Sequence, residues 1–178
     1  SCCLKSLPQA LHTSNIFSTR QMLPILIQKF ELLKGIFKDQ TEFLIYAGDI
    51  KEMYTHLPHD IIIQSIKWVL SSIQSETRRQ GVAVNILCSK DNRLGKSYSF
   101  DNSFVYISFE QLFNVCCLDI TKCYFLLSAV VFLQIFGIPI GSPGSPGYSM
   151  SICIYSESRF NQSFFHFQKL FGMARYFD

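Results

Sequence analysis

The sequence predicts an α+β fold, and three observations carry that prediction. Apolar residues recur at three- and four-residue spacing in some stretches, and as short runs rich in Val, Phe, Tyr and Ile in others. Several of the short runs come in pairs joined by turns, which is the mark of hairpins rather than of parallel crossovers. At 178 residues, with 48% apolar and 15% aromatic content, the chain has enough material to bury a core. An antiparallel sheet with helices on one face is therefore expected.

Taken in order, residues 1–20 show no clear period and read as the remnant of a preceding region. Residues 22–34 carry Leu23, Leu26, Ile27, Phe30 and Leu33 at helical spacing, with Pro24 in the first turn and Gly35 as the stop. A short strand over 43–47 delivers Asp49 at its end. The next helix starts at Pro58, with Asp60 near its positive end and Ile62, Ile66, Val69, Leu70 and Ile73 on the buried face. Residues 82–87 and 104–107 form a hairpin across a polar loop that contains Gly95. Ser108 then caps a short helix that runs through Phe113.

Residues 119–122 read as a polar turn. Residues 124–127 and 130–136 follow as a second strand pair, expected to be buried because both strands are almost wholly apolar. A glycine-proline turn leads into a helix over about 147–165, and a last strand over 173–177 ends at Asp178. No internal repeat is visible beyond the local Gly-Ser-Pro doublet.

Composition narrows the class further. A net charge of +3 is compatible with nucleic acid without establishing it. Cys2, Cys3, Cys88, Cys116, Cys117, Cys123 and Cys153 form no C-x-x-C pair and are odd in number. A disulfide framework or a zinc site is not expected from them, and reduced thiols in an intracellular protein are. The apolar stretch 123–136 falls short of the ~20 residues a membrane helix needs. No secretory leader is recognisable at the start, and the chain reads as part of a longer protein at both ends.

Three segments carry chemistry. Asp49 opens Asp49-Ile50-Lys51-Glu52-Met53-Tyr54, and Asp178 closes Arg175-Tyr176-Phe177-Asp178. Between them lies Gly137-Ile138-Pro139-Ile140-Gly141-Ser142-Pro143-Gly144-Ser145-Pro146. Two strand-end carboxylates supply the hard oxygen ligands that divalent cations take, and a stiff glycine turn lets backbone approach a nucleotide. Together they point to phosphoryl transfer on nucleic acid. The plain alternatives are aspartates that only end strands, a half-buried Tyr54, and a Gly-Ser-Pro linker. Lys51 and Arg175 suit phosphate contact and solvation equally. His56, His59 and Asp60 read as a surface cluster at a helix start, since no third ligand is in reach.

The order of these blocks resembles the palm of a reverse transcriptase. Residues 49–54 resemble its motif A, 134–150 its motif B, and Tyr176-Phe177-Asp178 the start of its Tyr-x-Asp-Asp motif C. The wording is most similar to Penelope-like and telomerase-related retroelement enzymes, and it covers about residues 40–178. The resemblance implies a polymerase palm over 41–178, with 1–40 a remnant of the fingers or connecting region. It implies an RNA-directed DNA polymerase, a nucleotidyltransferase that extends a DNA primer along an RNA template with dNTPs.

Site roles follow from the same resemblance. Asp49 and Asp178 would be the catalytic carboxylates and, with Ile50, would hold two Mg²⁺ ions about 3.5–4 Å apart, with Mn²⁺ as an alternative. Ile50, Lys51, Glu52, Met53 and Tyr54 would line the nucleotide, the Glu52 and Met53 N–H groups facing the triphosphate. Tyr54 would be the steric gate against a 2′-hydroxyl. Gly141, Ser142 and Pro143 would contact the template-paired nucleotide.

The chain departs from the family in two places. Ile140 stands where many relatives have Gln, although Met is frequent there in Penelope-like enzymes. The second aspartate of motif C, recognisable fingers motifs and a thumb are not seen, so the segment alone is expected to be inactive. The rival readings are a decayed palm-like module that only binds nucleic acid, and an RNA-templated RNA polymerase. Against the second stand Tyr54 and the lack of both a second motif A acid and a Ser-Gly motif B. No membrane and no protein partner are expected.

Overall fold

Helices and short strands alternate along the computed structural model, which describes residues 15–16, 19–36, 48–86, 93–94, 103–164 and 175–176. The class is mixed helix and strand, as the periodicities predict. The chain divides into two compact units. One holds Lys51–Tyr155; the other holds the described parts of Ala10–Ile50 and Ser156–Asp178.

In the larger unit, α2 (Met53–His56) is a single turn that leads into α3 (His59–Thr77). Pro58 sits at the N-cap of α3, where its missing N–H costs nothing, and Asp60 lies in the first turn against the positive end of the helix dipole. The buried face is Ile62, Ser65, Ile66, Val69 and Ile73, with Leu70 partly buried beside it. Ser65 tolerates full burial because its hydroxyl donates to the Ile62 carbonyl at 2.7 Å. Arg78, in the left-handed conformation, ends the helix, and its N–H donates to the Gln74 carbonyl.

The first sheet is antiparallel, in the order β3-β2-β4, built from β2 (Gly81–Asn85), β3 (Arg93–Leu94) and β4 (Phe104–Ser108). Val82 pairs with Ile107 and Val84 with Val105, which is the expected hairpin with an extra edge strand. Gly81 is required at its position. A Cβ there would lie 2.3 Å from the Ile107 carbonyl oxygen.

Ser108 caps α4 (Phe109–Thr121) through a full capping box: Gln111 N–H donates to Ser108 Oγ at 3.1 Å, and Ser108 N–H donates to Gln111 Oε1 at 2.9 Å. The helix does not stop at Phe113. It runs on through the segment expected to be a polar turn, because Ile120 is fully buried and holds that last turn against the core. The core itself is formed by Ile62, Ile66, Ile120, Ile138, Tyr148 and Ile152 from α3, α4, the glycine-proline segment and α5 (Ser145–Ser163).

The second strand pair forms as expected, but its burial does not. β5 (Tyr124–Leu127) and β6 (Val130–Leu133) make an antiparallel hairpin in which every residue is exposed. Alternate residues on a strand point to opposite faces, so both faces of this ribbon are uncovered. Ser128 and Ala129 turn it with φ values of 49° and 65°, the mirror-image geometry that suits a two-residue hairpin. β6 also stops earlier than residue 136, and Phe136 instead forms an isolated bridge with Pro58.

In the smaller unit, α1 (Thr19–Ile36) begins earlier than its apolar period suggests. Pro24 therefore sits beyond the first turn, and the carbonyl one turn before it receives no N–H from that ring. Leu23, Leu26, Ile27 and Phe30 are exposed rather than packed. Burial holds the Lys29 ammonium below its ordinary pKa, an effect that the Glu157 carboxylate opposes. β1 (Asn15–Ile16) and β7 (Arg175–Tyr176) pair in parallel, a pairing absent from the expected antiparallel scheme. No helix among the described residues is long and apolar enough to cross a membrane.

Candidate functional site

Two segments far apart in sequence are stitched together by their main chains. Gly137 N–H donates to the Leu57 carbonyl at 2.8 Å, and Ile138 N–H donates to the Tyr54 carbonyl at 2.7 Å. His59 Nε2 lies 3.0 Å from the Gly137 carbonyl oxygen. A carbonyl can only accept, so His59 presents an Nε2–H there. The bridge between Pro58 and Phe136 completes the junction. Its core side is Ile138, fully buried among Ile62, Ile120 and Ile152.

Only glycine fits at the centre of this junction. Gly137 has φ +81°, and a Cβ would meet the Tyr54 carbonyl oxygen at 2.3 Å. Upstream, Glu52 takes a left-handed φ of 54° and starts α2. Its carbonyl accepts from the N–H groups of Thr55 and His56, and its carboxylate lies 3.2 Å from His56 Nδ1. That backbone conformation costs a non-glycine residue about 1 kcal/mol or more, so the turn is held by its surroundings rather than by preference.

The glycine-proline segment continues from the junction as a folded loop. Ser142 N–H donates to the Pro139 carbonyl at 3.2 Å, and Ser145 N–H to the Ser142 carbonyl at 3.1 Å. Ser145 Oγ also donates to the Pro139 carbonyl, which satisfies a buried hydroxyl. Asp119, in the last turn of α4, holds this loop from the side. Its Oδ2 accepts from Ser142 Oγ at 3.0 Å and from Tyr148 Oη at 2.6 Å. Burial first, and the Asp119 contact second, push the Tyr148 phenol well above its ordinary pKa. Burial likewise pushes the Cys116 thiol up, one turn before Asp119 on α4.

The expected site residues are distributed as follows. Tyr54, on α2, is 37% exposed, and its carbonyl lies at the junction. Ser142 is half-buried against Asp119, whereas Gly141 and Pro143 are exposed in the loop. Lys51 and Glu52 are exposed in the turn before α2, and Met53, its first residue, is half-buried. Asp49 and Ile50 are exposed in irregular backbone and belong to the smaller unit. Asp178 and the strand expected over 43–47 lie outside the described residues. Ile140 is 79% exposed.

As a ligand for a divalent cation, Asp49 offers an exposed hard carboxylate of the kind Mg²⁺ takes. Among the described residues, no three His, Cys, Asp or Glu side chains converge, and His56, His59 and Asp60 make no metal cluster. The residue that the sequence reading missed is Asp119. Its place in a presumed turn hid it; the signal was Ile120 at the next position, an apolar residue that continues the helical face of Phe113 and Cys116.

No family model, curated protein or solved structure matches the chain.

Proposed function

We propose that this chain is the palm segment of a reverse transcriptase, an RNA-directed DNA polymerase of retroelement type. The observation that carries the reading is the junction between Tyr54–Pro58 and Phe136–Ile138. The resemblance puts Tyr54 under the incoming sugar and the glycine loop against the template-paired nucleotide, so the two segments have to be neighbours. Tyr54 and Ile138, one from each of those segments, are here hydrogen-bonded neighbours although they stand 84 positions apart in sequence.

In this reading the chain's own groups act by placement. Tyr54, half-exposed beside the junction, would stack under the deoxyribose and refuse a 2′-hydroxyl. The loop from Gly141 to Pro143 would lie along the template-paired nucleotide, with the exposed Gly141 and Pro143 on either side of the half-buried Ser142. Lys51 would meet the triphosphate, and the N–H groups of Glu52 and Met53 would face it. Asp49 and Asp178 would hold Mg²⁺, with the Ile50 main chain beside them. When bound, the two ions supply a more acidic primer hydroxyl and a stabilised leaving pyrophosphate.

The test is primer extension on an RNA template with dNTPs and Mg²⁺, using the protein that carries this chain. Asp49→Asn should lower extension by about a hundredfold or more while leaving template–primer binding within a few fold. Tyr54→Ala should admit rNTPs. A wild-type protein that binds template–primer yet never extends it would sink the polymerase reading and leave a binding module in its place.

A further inference from the structure

We infer that Asp119 is a positioning residue that sets the shape of the glycine-proline loop, and through it the fit of the template-paired nucleotide; the second half of this rests on the polymerase reading. Asp119 belongs to none of the three motif blocks. Yet one of its oxygens is the meeting point of two donors, Ser142 from inside the loop and Tyr148 from the first turns of α5. Both hydroxyls donate to the same Oδ2, so the carboxylate ties the middle of the loop to the helix that follows it.

The other bonds of the loop, from Ser142 N–H and Ser145 Oγ to the Pro139 carbonyl and from Ser145 N–H to the Ser142 carbonyl, stay within the loop, whereas Asp119 ties it to another element. Ser142 Oγ, while donating to Asp119, also accepts from Gly144 N–H at 3.3 Å, so the carboxylate orients the hydroxyl that orients the glycine. Gly144 in turn lies against the Tyr148 ring so closely that a Cβ would meet the phenol oxygen at 2.5 Å. Tyr148 Oη can reach Asp119 only while the ring occupies that place, which leaves no room for a side chain at 144. Asp119, Ser142, Gly144 and Tyr148 are therefore one unit. Pro143, between two members of it, is presented at an exposed and fixed tip. Asp119 itself is half-buried on α4, whose last turn is anchored by the fully buried Ile120. The tie therefore runs from the loop to the core of the unit.

A carboxylate accepting two hydroxyls forms charge-assisted bonds, and an amide oxygen at the same place can still accept both, more weakly. That difference gives a graded test. In amide hydrogen exchange on the chain, Asp119→Ala should speed exchange at Ser142, Gly144 and Ser145 by about tenfold and leave Val82–Val84 unchanged, with Asp119→Asn in between. In extension assays of the protein carrying the chain, Asp119→Ala should raise the dNTP KM by about tenfold with kcat within about threefold, and Asp119→Asn should recover part of the loss.

Unchanged exchange in Asp119→Ala overturns the inference. Faster exchange with an unchanged KM overturns the positioning role and leaves a structural one. If Asp119→Ala fails to fold, Ser142→Ala removes the loop's half of the tie alone and is read by the same two measurements. A wild-type protein without extension activity fails the polymerase reading, while the exchange result still decides whether Asp119 sets the loop.

Discussion

Replacing Gly137 by Ala tests the junction most directly. The backbone there has φ +81°, which costs an L-residue about 1–2 kcal/mol. The added Cβ would lie 2.3 Å from the Tyr54 carbonyl oxygen and 3.1 Å from the Thr55 main chain, so the two segments must part. Parting them weakens the Gly137–Leu57 and Ile138–Tyr54 hydrogen bonds, at about 0.5–1.5 kcal/mol each. Alanine also stiffens the unfolded chain and returns about 0.4–1 kcal/mol. The expected net loss is about 3 kcal/mol, or roughly a hundredfold in the folding equilibrium.

Urea denaturation read by fluorescence suits the measurement, because Trp68 is the single tryptophan and packs on Tyr155 at 5.6 Å within the same unit. Two other glycines provide the scale. Gly141 has φ +91° with nothing within 4 Å of a Cβ, so Gly141→Ala should cost only the backbone strain, about 1 kcal/mol. Gly147 lies in α5 of the same unit in open space with no positive φ, so Gly147→Ala should be neutral or stabilise by up to about 1 kcal/mol. If Gly137→Ala costs no more than Gly141→Ala, the close approach to Tyr54 does not exist and the junction argument is refuted.

Three further outcomes are expected. The raised Tyr148 pKa means that the folded chain keeps a proton which the unfolded chain releases above about pH 10. Its stabilising contribution is complete below that pH and is lost as pH rises beyond it, so urea midpoints should fall more steeply above pH 10 in the wild type than in Tyr148→Phe. Parallel curves would contradict this. Ser108→Ala removes the hydroxyl that accepts from Gln111 N–H, while the Ser108 N–H can still donate to Gln111 Oε1, and should cost about 1 kcal/mol, whereas Ser108→Thr should keep most of it; equal losses in the two variants would deny the cap its role. Leu126 and Val131 are direct cross-strand partners, 69% and 65% exposed, so Leu126→Lys with Val131→Glu should change stability by less than about 0.5 kcal/mol and reduce light scattering. A loss above about 2 kcal/mol would mean that the hairpin is covered in solution.

The parts of the fold that the sequence makes legible are those where one local signal suffices. Ile62, Ile66, Val69 and Ile73 repeat at helical spacing, and Ser108 announces a cap; both appear where expected. Burial was less legible. The run from Tyr124 to Phe136 is apolar enough for a core strand, but hydrophobicity reports a need for cover and not which element supplies it. α1 shows the same gap, its apolar stripe standing exposed. For the site, the glycine-proline turn stands out by its composition, while Tyr54 and Ser142 are singled out through the resemblance. Asp119 is singled out by neither, since its partners stand 23 and 29 positions away and no local pattern encodes them.

The junction also has a kinetic side. The His59–Gly137 contact closes a span of 78 positions, and the chain entropy of such a closure is about 4 kcal/mol from (3/2)RT ln n. Everything inside the span, from α3 through the three-stranded sheet and α4 to the hairpin, can form from nearer neighbours first. The stitching of Tyr54 and Leu57 to Gly137 is then a late step. Substitutions there should accelerate unfolding and leave the refolding rate almost untouched. Because Ile138 enters the core at that same step, a chain arrested just before it would show Ile62, Ile120 and Ile152 to solvent. Nascent protein would depend on chaperones most at that point.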